Sequence, residues 1–434
     1  MTEVVIKKVE RLKGEICAPP SKAYTQRMLI AAALSHGVSK ISDPLVSDDT
    51  EATLRAVKAL GAKVKEAEDC WTVEGAQPLK VTQMVIDCGE SGATLRFMMP
   101  VAALAPEPTI FLLEKSLERR PIDPLLQSLK QLGVETHSRH FGGKASIYVR
   151  GGGISGGKTS MRGDVSSQFI SGLMFACPMA QMDTDIILTT PLESKDYVEM
   201  TKAVIAEHDI KVLISEAFDR LYIPSRQNYE PCDHRVPGDF SSAAFLLTAT
   251  AITRSEVSIE NLGYETVQGD KIILRILKQM GVNTRICPDR VEVKGKGGLL
   301  KAVDVDAKDI PDLVPVCAVL ACYAKGTSKI HGAYRLRYKE SDRLLSLYLE
   351  LRKMGAQIVM DESSLTVKGP CALHGAVIDP HNDHRIAMAC AIAALGARGE
   401  TCIQNAECVR KSYPQFFRDL RALGVDVVGG EFDR

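Results

Sequence analysis

Charged and hydroxylated side chains recur along this chain where apolar helical stretches begin. They are Lys22 and Arg27, Glu90 and Arg96, Ser166, Ser167 and Gln168, Asp239 and Ser241, Asp312, and Asp383, His384 and Arg385. An arginine at a helix N-terminus opposes the positive end of the macrodipole, at a cost of roughly 0.3–1 kcal/mol. Arg27, Arg96 and Arg385 therefore run against the usual capping preference. An anion seated there reverses the balance, because backbone N–H groups, dipole and guanidinium then act on one negative charge. Polar-faced helices add Arg120, Ser194, Tyr197, Lys339, Glu340, Arg343 and Lys411. If the helices of each domain run parallel, their starts gather on one face, and two such faces make a cleft for a ligand with several negative charges. Asp312 and Glu340 are the minority carboxylates of that set, the residues expected to move protons. Asp49, in Ser47-Asp-Asp-Thr-Glu, reads as a helix N-cap.

Two other motifs point elsewhere and are set aside on local grounds. Gly152-Gly-Ile-Ser-Gly-Gly-Lys158-Thr159 matches the phosphate-binding pattern GxxxxGK[ST]. That pattern must lead straight into a helix, but Ser160-Met-Arg-Gly-Asp164 follows, so the segment reads as strand, glycine-rich turn and strand. His381-Asn-Asp-His384 has no third ligand of suitable type nearby in sequence, and its histidines read as loop or substrate-binding residues rather than metal ligands. The 12 cysteines form no CxxC pair and read as free thiols.

The elements that must hold these residues follow a sixfold rhythm. One amphipathic helical ending recurs, each time stopping at a glycine: Gly61, Gly133, Gly281, Gly355 and Gly424, with Asp209 in a weaker sixth copy. The spacings are 72, 76, 72, 74 and 69 residues. Glycine suits the left-handed position just past a helix. A second helix keeps the same beat, starting near 27, 96, 168, 242, 312 and 385 and apolar almost all round, so each unit has an inner and an outer helix. Short β-rich stretches lie between them. The pattern predicts an α/β protein of six βαββαβ units, divided three plus three.

Composition bounds the rest. The chain has 434 residues, 54 basic and 54 acidic, with 45% hydrophobic residues and a net charge of +0. That length is too great for one core and leads us to expect two domains. Without a net field, nucleic acid and anionic membrane surfaces are poor partners. The N-terminus lacks an apolar signal region and no apolar run spans a bilayer, which predicts a cytosolic protein.

Taken as a set, Pro20-Ser21-Lys22 with Arg27, Gly89-Glu90-Ser91-Gly92 with Arg96, Arg120-Pro121-Ile122, Val165-Ser166-Ser167-Gln168-Phe169, Ser194-Lys195, Ile310-Pro311-Asp312, Lys339-Glu340-Ser341-Asp342-Arg343, Asn382-Asp383-His384-Arg385 and Lys411 closely resemble the 5-enolpyruvylshikimate-3-phosphate synthase family. The match runs in order from about residue 5 to 427. The resemblance implies a two-domain inside-out α/β barrel, with residues 19–236 as one domain and 1–18 plus 237–434 as the other. It implies transfer of the enolpyruvyl group of phosphoenolpyruvate to the 5-hydroxyl of shikimate 3-phosphate through a tetrahedral intermediate, with no metal or organic cofactor, in a monomer. By the same resemblance Ser166, Ser167, Ser194, Arg27, Gln168, Tyr197 and Lys339 hold shikimate 3-phosphate. Lys22, Gly92, Arg120, Gln168, Arg343, Arg385 and Lys411 surround phosphoenolpyruvate, and Glu90, Arg335 and His384 belong to the substrate site. Asp312 takes the hydroxyl proton, and Glu340 with Lys22 protonates the enol methylene. The chain departs from the commonest family pattern at Ala23, Glu90, Ala93 and Arg335. Ala23 removes a hydroxyl expected at the shikimate carboxylate, a contact worth roughly 1.5–3 kcal/mol, for which Arg335 is a candidate replacement. The sister transferase acting on UDP-N-acetylglucosamine is disfavoured, because Arg119-Arg120-Pro121 stands where that enzyme carries its cysteine loop.

Overall fold

The computed structural model describes residues 2–295 and 298–430. The chain divides into two compact units: Pro20–Val236 is continuous, and Met1–Pro19 combines with Pro237–Arg434. Proline stands at both crossings between them, where a fixed φ and a missing N–H keep the strand connections from running on as helix or ladder.

Six small sheets account for nearly all the strands, three in each unit. The sheet built on Thr109–Leu112 illustrates the plan. Val85–Asp87 pairs parallel to that strand, Lys144–Val149 pairs antiparallel on its other side, and Thr136–Phe141 completes a hairpin with Lys144–Val149. An inner helix crosses from the first strand to the second, and an outer helix leads from the second into the hairpin. The order is β-α-β-α-β-β, which corrects the βαββαβ expected from the sequence. The opening strand is only two or three residues long in four of the sheets, at His234–Arg235, Val85–Asp87, Leu300–Lys301 and Val377–Ile378. Strands that short carry no alternation to read, so the hairpin was divided between the two helices instead.

Neither unit is a simple tandem. His234–Arg235, at the end of the continuous unit, pairs parallel with Val38–Ser42 near its beginning. In the other unit Val4–Lys7 lies between Glu400–Ile403 and Val427–Gly429, antiparallel to both. Each unit closes on itself through a strand borrowed from the far end of its own sequence.

The two helix classes separate as their apolar patterns require. The continuous unit buries Lys22–Ala33, Gly92–Ala103 and Ser167–Ala176, and every residue of Gly92–Ala103 is buried. The discontinuous unit does the same with Phe240–Ile252, Val314–Tyr323 and His384–Ala394. Each set organises its own core. Polar-faced helices such as Asp123–Gln131, Lys195–Glu207 and Arg343–Lys353 have exposed residues on one side. Their caps match the sequence pattern closely. Gly61, Gly133, Gly281, Gly355 and Gly424 have φ between +86° and +102°, and Asp209 adopts the same hand at +62°.

The glycine-rich segment is strand, turn and strand, as its sequence indicates: Lys144–Val149, a loop, then Gly157–Met161 paired with Thr184–Leu188. A Cβ on Gly156 would lie 2.0 Å from the Met182 carbonyl oxygen, so its small size serves backbone packing. Among the described residues no helix is long and apolar enough to cross a membrane. All twelve cysteines are free thiols.

Two inner helices of the continuous unit meet at Gly172, where a Cβ would fall 2.2 Å from the Arg96 carbonyl oxygen. Gly172→Ala gains about 1 kcal/mol of intrinsic helix propensity. Overpacking against rigid backbone costs about 1–3 kcal/mol and outweighs it. The variant is expected to unfold at lower urea concentration than the parent; an unchanged or raised midpoint would contradict the close approach.

Candidate active site

In the continuous unit a chain of polar contacts draws the helix starts together. Gln26 Nε2 reaches Thr53 Oγ1 at 2.8 Å, the Asp49 carbonyl at 3.2 Å, and Ser91 Oγ and Thr94 Oγ1 at 3.4 Å each. Arg96 Nη1 donates to Gln168 Oε1 at 2.8 Å, joining the starts of Gly92–Ala103 and Ser167–Ala176. Arg27 donates to Thr201 Oγ1 at 2.8 Å, the Ala23 carbonyl at 3.0 Å and the Tyr197 carbonyl at 3.2 Å, adding the start of Lys195–Glu207.

These helices begin at Lys22 and Gly92, five residues ahead of Arg27 and four ahead of Arg96. Arg27 and Arg96 therefore lie beyond the first turn of Lys22–Ala33 and Gly92–Ala103, and the macrodipole conflict expected from the sequence falls on Arg385 alone, since the dipole acts mainly in the first turn. Helical side chains lean back toward the N-terminus, so the Arg27 guanidinium still reaches that end. It lies 5.0 Å from the Phe97 ring centre and 5.7 Å from that of Tyr197. Burial lowers its pKa to about 10, against support from Tyr197 and Tyr24, and leaves it a cation at neutral pH.

Gly92 sits between two cations. A Cβ built there would lie 3.0 Å from Arg120 Nη1 and 3.5 Å from Arg96 Nη1, so the backbone at this helix start is open to both guanidiniums. Glu90 is in the preceding turn, and Ala93 is the second residue of the same helix. Ser166 accepts from the Gln168 amide at 3.3 Å, and Ser167 is buried beside it. Ser194 takes left-handed backbone angles, φ +58° and ψ +48°, at the start of its helix, a conformation that costs a non-glycine residue on the order of 1–3 kcal/mol and concentrates at functional positions. Lys22 Nζ lies 2.8 Å from Asp49 Oδ2. The cap of the Asp48–Ala59 helix is Ser47, which corrects the reading of Asp49. Its carboxylate is turned to Lys22 instead.

The discontinuous unit holds a second cluster, centred on Asp312 in the short turn Pro311–Leu313. Asp312 Oδ1 is 3.0 Å from Arg343 Nη1 and 3.7 Å from Lys339 Nζ, and its Oδ2 is 3.4 Å from Arg385 Nη2. Arg343 also meets Glu340 at 2.5 Å and Asp383 at 2.9 Å, with its side chain only 1% exposed. Arg385 Nη2 donates to Ser241 Oγ at 2.7 Å. Lys411 Nζ donates to the Asn382 carbonyl at 2.6 Å, and Arg335 Nη2 to the Lys308 carbonyl at 2.6 Å. His384 is buried at the first position of its helix, behind the Asp383 cap. His381 and Asn382, both at positive φ, shape the turn that delivers it.

The electrostatics of this cluster separate two acids. Burial alone would raise Asp312, but Arg385, then Lys339 and Arg343, outweigh it and hold the carboxyl well below the usual range. Asp270, buried nearby, is driven up to about 7 by burial and by Asp312, against Arg385 and a hydrogen bond from Ser241. Lys339 is brought down to about 8, burial outweighing the attraction of Asp312. Asp270 was not singled out from the sequence. It lies in a short 3-10 turn with no periodic signature, and its tie to Ser241 depends on the fold.

Each predicted site residue thus falls in one of two groups. Lys22, Ala23, Arg27, Glu90, Gly92, Arg120, Ser166, Ser167, Gln168, Ser194 and Tyr197 lie in the continuous unit, and Asp312, Arg335, Lys339, Glu340, Arg343, His384, Arg385 and Lys411 in the other.

Comparison with known proteins gives one answer at the level of family. The family model described as EPSP synthase (3-phosphoshikimate 1-carboxyvinyltransferase) matches residues 6–420. A Methanocaldococcus jannaschii protein named 3-phosphoshikimate 1-carboxyvinyltransferase is 41% identical over 427 residues, covering 98% of this chain and 99% of its own. One of the same name from Methanocella arvoryzae is 43% identical over 416 residues, covering 95% and 97%. Among solved structures, an Acinetobacter baumannii EPSP synthase superposes with a TM-score of 0.82 at 24% identity, covering 99% of this chain and 100% of its own. The enolpyruvyl transferase NikO from Streptomyces tendae does so at 0.80 and 19%, covering 99% of both chains. These two similarities bear on the fold.

Asp270 supplies a pH test. Its folded pKa of about 7 exceeds the ordinary carboxyl value near 4, so between those values the folded state binds the extra proton and stability falls as pH rises. Asp270→Asn is expected to remove this slope. Relative to the parent it gains on the order of 2 kcal/mol between pH 5 and pH 8 in urea unfolding. A pH-independent difference would contradict the shift.

Proposed function

The chain belongs to the EPSP synthase family, and from that membership together with its two charged clusters we propose that it transfers the enolpyruvyl group of phosphoenolpyruvate to the 5-hydroxyl of shikimate 3-phosphate and releases inorganic phosphate. The observation that carries the reading is Asp312 and Glu340 held by one buried guanidinium, Arg343, with Arg385 and Lys339 around Asp312. Two carboxylates kept among cations suit a reaction that moves protons on polyanionic substrates.

On this reading Ser166, Ser167 and Ser194, with Arg27, Gln168, Tyr197 and Lys339, hold shikimate 3-phosphate. Lys22, Gly92, Arg120, Arg343, Arg385 and Lys411 surround phosphoenolpyruvate, with Gln168 serving both substrates. Glu90, Arg335 and His384 complete the substrate site, and Ala23 contributes only its backbone carbonyl, to Arg27. Glu340, which takes up a proton from solvent as the anionic substrates bind beside it and is supported by Lys22, delivers that proton to the methylene carbon as the 5-hydroxyl oxygen bonds to the adjacent carbon, and Asp312 takes the hydroxyl proton. The tetrahedral adduct then loses phosphate while a methyl proton returns to the protein, restoring the double bond.

The depressed pKa of Asp312 in the free protein makes it a poor base, and the substrates themselves supply the remedy. Their phosphate and carboxylate groups compete for Arg385, Lys339 and Arg343, the very charges that hold it down. Each contact they draw away raises the basicity of Asp312 where the proton must be accepted. The reading further takes the protein as a cytosolic monomer.

The decisive measurement is phosphate release. It is expected only when shikimate 3-phosphate and phosphoenolpyruvate are both present, and its absence at high enzyme concentration would refute the proposal. Asp312→Asn and Glu340→Gln are each expected to slow single-turnover chemistry by about a hundredfold or more, within the 10²–10⁴ range for acid–base groups. Lys158→Ala, on the exposed strand of the glycine-rich segment, is expected to leave the rate near that of the parent. Full activity in either carboxylate variant removes the role given to it.

A further inference from the structure

A cluster outside both charged sites, in the continuous unit, joins the last turn of an outer helix to the strand that leads out of the unit. Glu207 ends the helix Lys195–Glu207, His208 caps it, and Cys232 and His234 come from the segment ending in the strand His234–Arg235. One oxygen of Glu207, Sγ of Cys232 and a ring nitrogen of His234 all lie within 4.8 Å of one another.

The histidine pair fixes which atom of His234 faces this space. His208 Nδ1 lies 2.6 Å from the Glu230 carbonyl oxygen. A carbonyl only accepts, so Nδ1 carries the hydrogen. His208 Nε2 is 2.7 Å from His234 Nε2, so one nitrogen of His234 is engaged by its neighbour and the other, Nδ1, is turned to the cluster. His234 Nδ1 points toward Glu207 Oε2 across 2.9 Å, with its side chain 0% exposed, yet it makes no hydrogen bond. A buried ring nitrogen without a hydrogen bond, aimed at a carboxylate and a thiol, is placed as metal ligands are.

We infer that Glu207, Cys232 and His234 bind one zinc ion, with a water molecule as fourth ligand. Carboxylate, thiolate and imidazole are a mixed set that zinc accepts in tetrahedral geometry, with bonds of about 2.0–2.3 Å. Drawing the three atoms onto one ion requires small movements, and Glu207 and Cys232, neither of them buried, can make them. His208 is the outer partner that a ligating histidine normally has, fixing the ring through its other nitrogen. Binding exchanges the Cys232 thiol proton for the metal and releases that proton to solvent. Because the thiol must give up its proton to bind, affinity climbs with pH. The ion ties the outgoing strand to the outer helix and takes no part in the transfer reaction.

The test uses the full-length protein, stripped with a chelator, loaded with zinc alone and desalted before metal analysis. One equivalent is expected in the parent. Cys232→Ser and Glu207→Gln should each weaken binding at least tenfold, and His208→Gln by about 10–100-fold through loss of the outer partner. Cobalt in place of zinc should give a thiolate charge-transfer band in the parent and none in Cys232→Ser. Phosphate release and circular dichroism equal to the parent's establish that the variants fold. No retained zinc, equal retention in Cys232→Ser, or a thiolate band that survives loss of Cys232 would each overturn the site.

Discussion

A single guanidinium sets the geometry of the two carboxylates to which the proposed reaction assigns proton transfer. Arg343 is almost completely enclosed, and its five N–H donors are shared among Asp312, Glu340 and Asp383. A fork of that shape is rigid and always charged, so Asp312 and Glu340 cannot reorient independently. Asp383 anchors the assembly, because it caps the inner helix His384–Ala394 and so ties the fork to a buried element. Removing one partner of a buried ion pair typically costs 3–5 kcal/mol. The cluster is therefore as much a folding constraint as a chemical device, and three carboxylates facing Arg343, Arg385 and Lys339 keep it near neutrality.

The repeat architecture explains how such groups come together from distant parts of the chain. Each unit orders three inner helices around one core, and polar contacts connect their starts: Arg96 to Gln168 in one, Arg385 to Ser241 and Asp312 in the other. The balanced net charge conceals this local grouping. Charge is paired along the outer helices and hairpins, for instance Lys58 with Glu66 and Lys63 with Glu74, while Arg343, Arg385 and Asp312 gather near helix starts. A ligand of several negative charges meets prearranged donors and so avoids much of the ordering cost of binding.

Much of this was legible in the sequence because the signals were backbone requirements. A left-handed residue just past an outer helix demands glycine or a short polar residue, and both the five glycines and the substitute Asp209 meet that demand. Inner helices announced themselves by being apolar on all sides. What escaped notice had no local signature. The strand order was misjudged because opening strands such as Val85–Asp87 are too short to alternate. The helices start at Lys22 and Gly92, ahead of the charged residues that look like their beginnings, so Arg27 and Arg96 fall beyond the turn on which the dipole acts. Asp49 passed for a cap, since nothing in Ser47-Asp-Asp-Thr-Glu reveals that Lys22 lies beside it in space. The sharing of Arg343 among three carboxylates, the raised pKa of Asp270 and the pairing of His208 with His234 arise only from tertiary approach.

The strand Val4–Lys7, held between two strands from the other end of the polypeptide, sets an order of events on the ribosome. At about 5–20 residues per second, roughly 20–80 s elapse between emergence of this strand and synthesis of its neighbour Glu400–Ile403. Pro20–Val236 is uninterrupted and has all its own strands long before then. One half of the molecule can thus mature as a finished insert while the first strand waits, and the last sheet of the other half is sealed only once Glu400–Ile403 and Val427–Gly429 have been made.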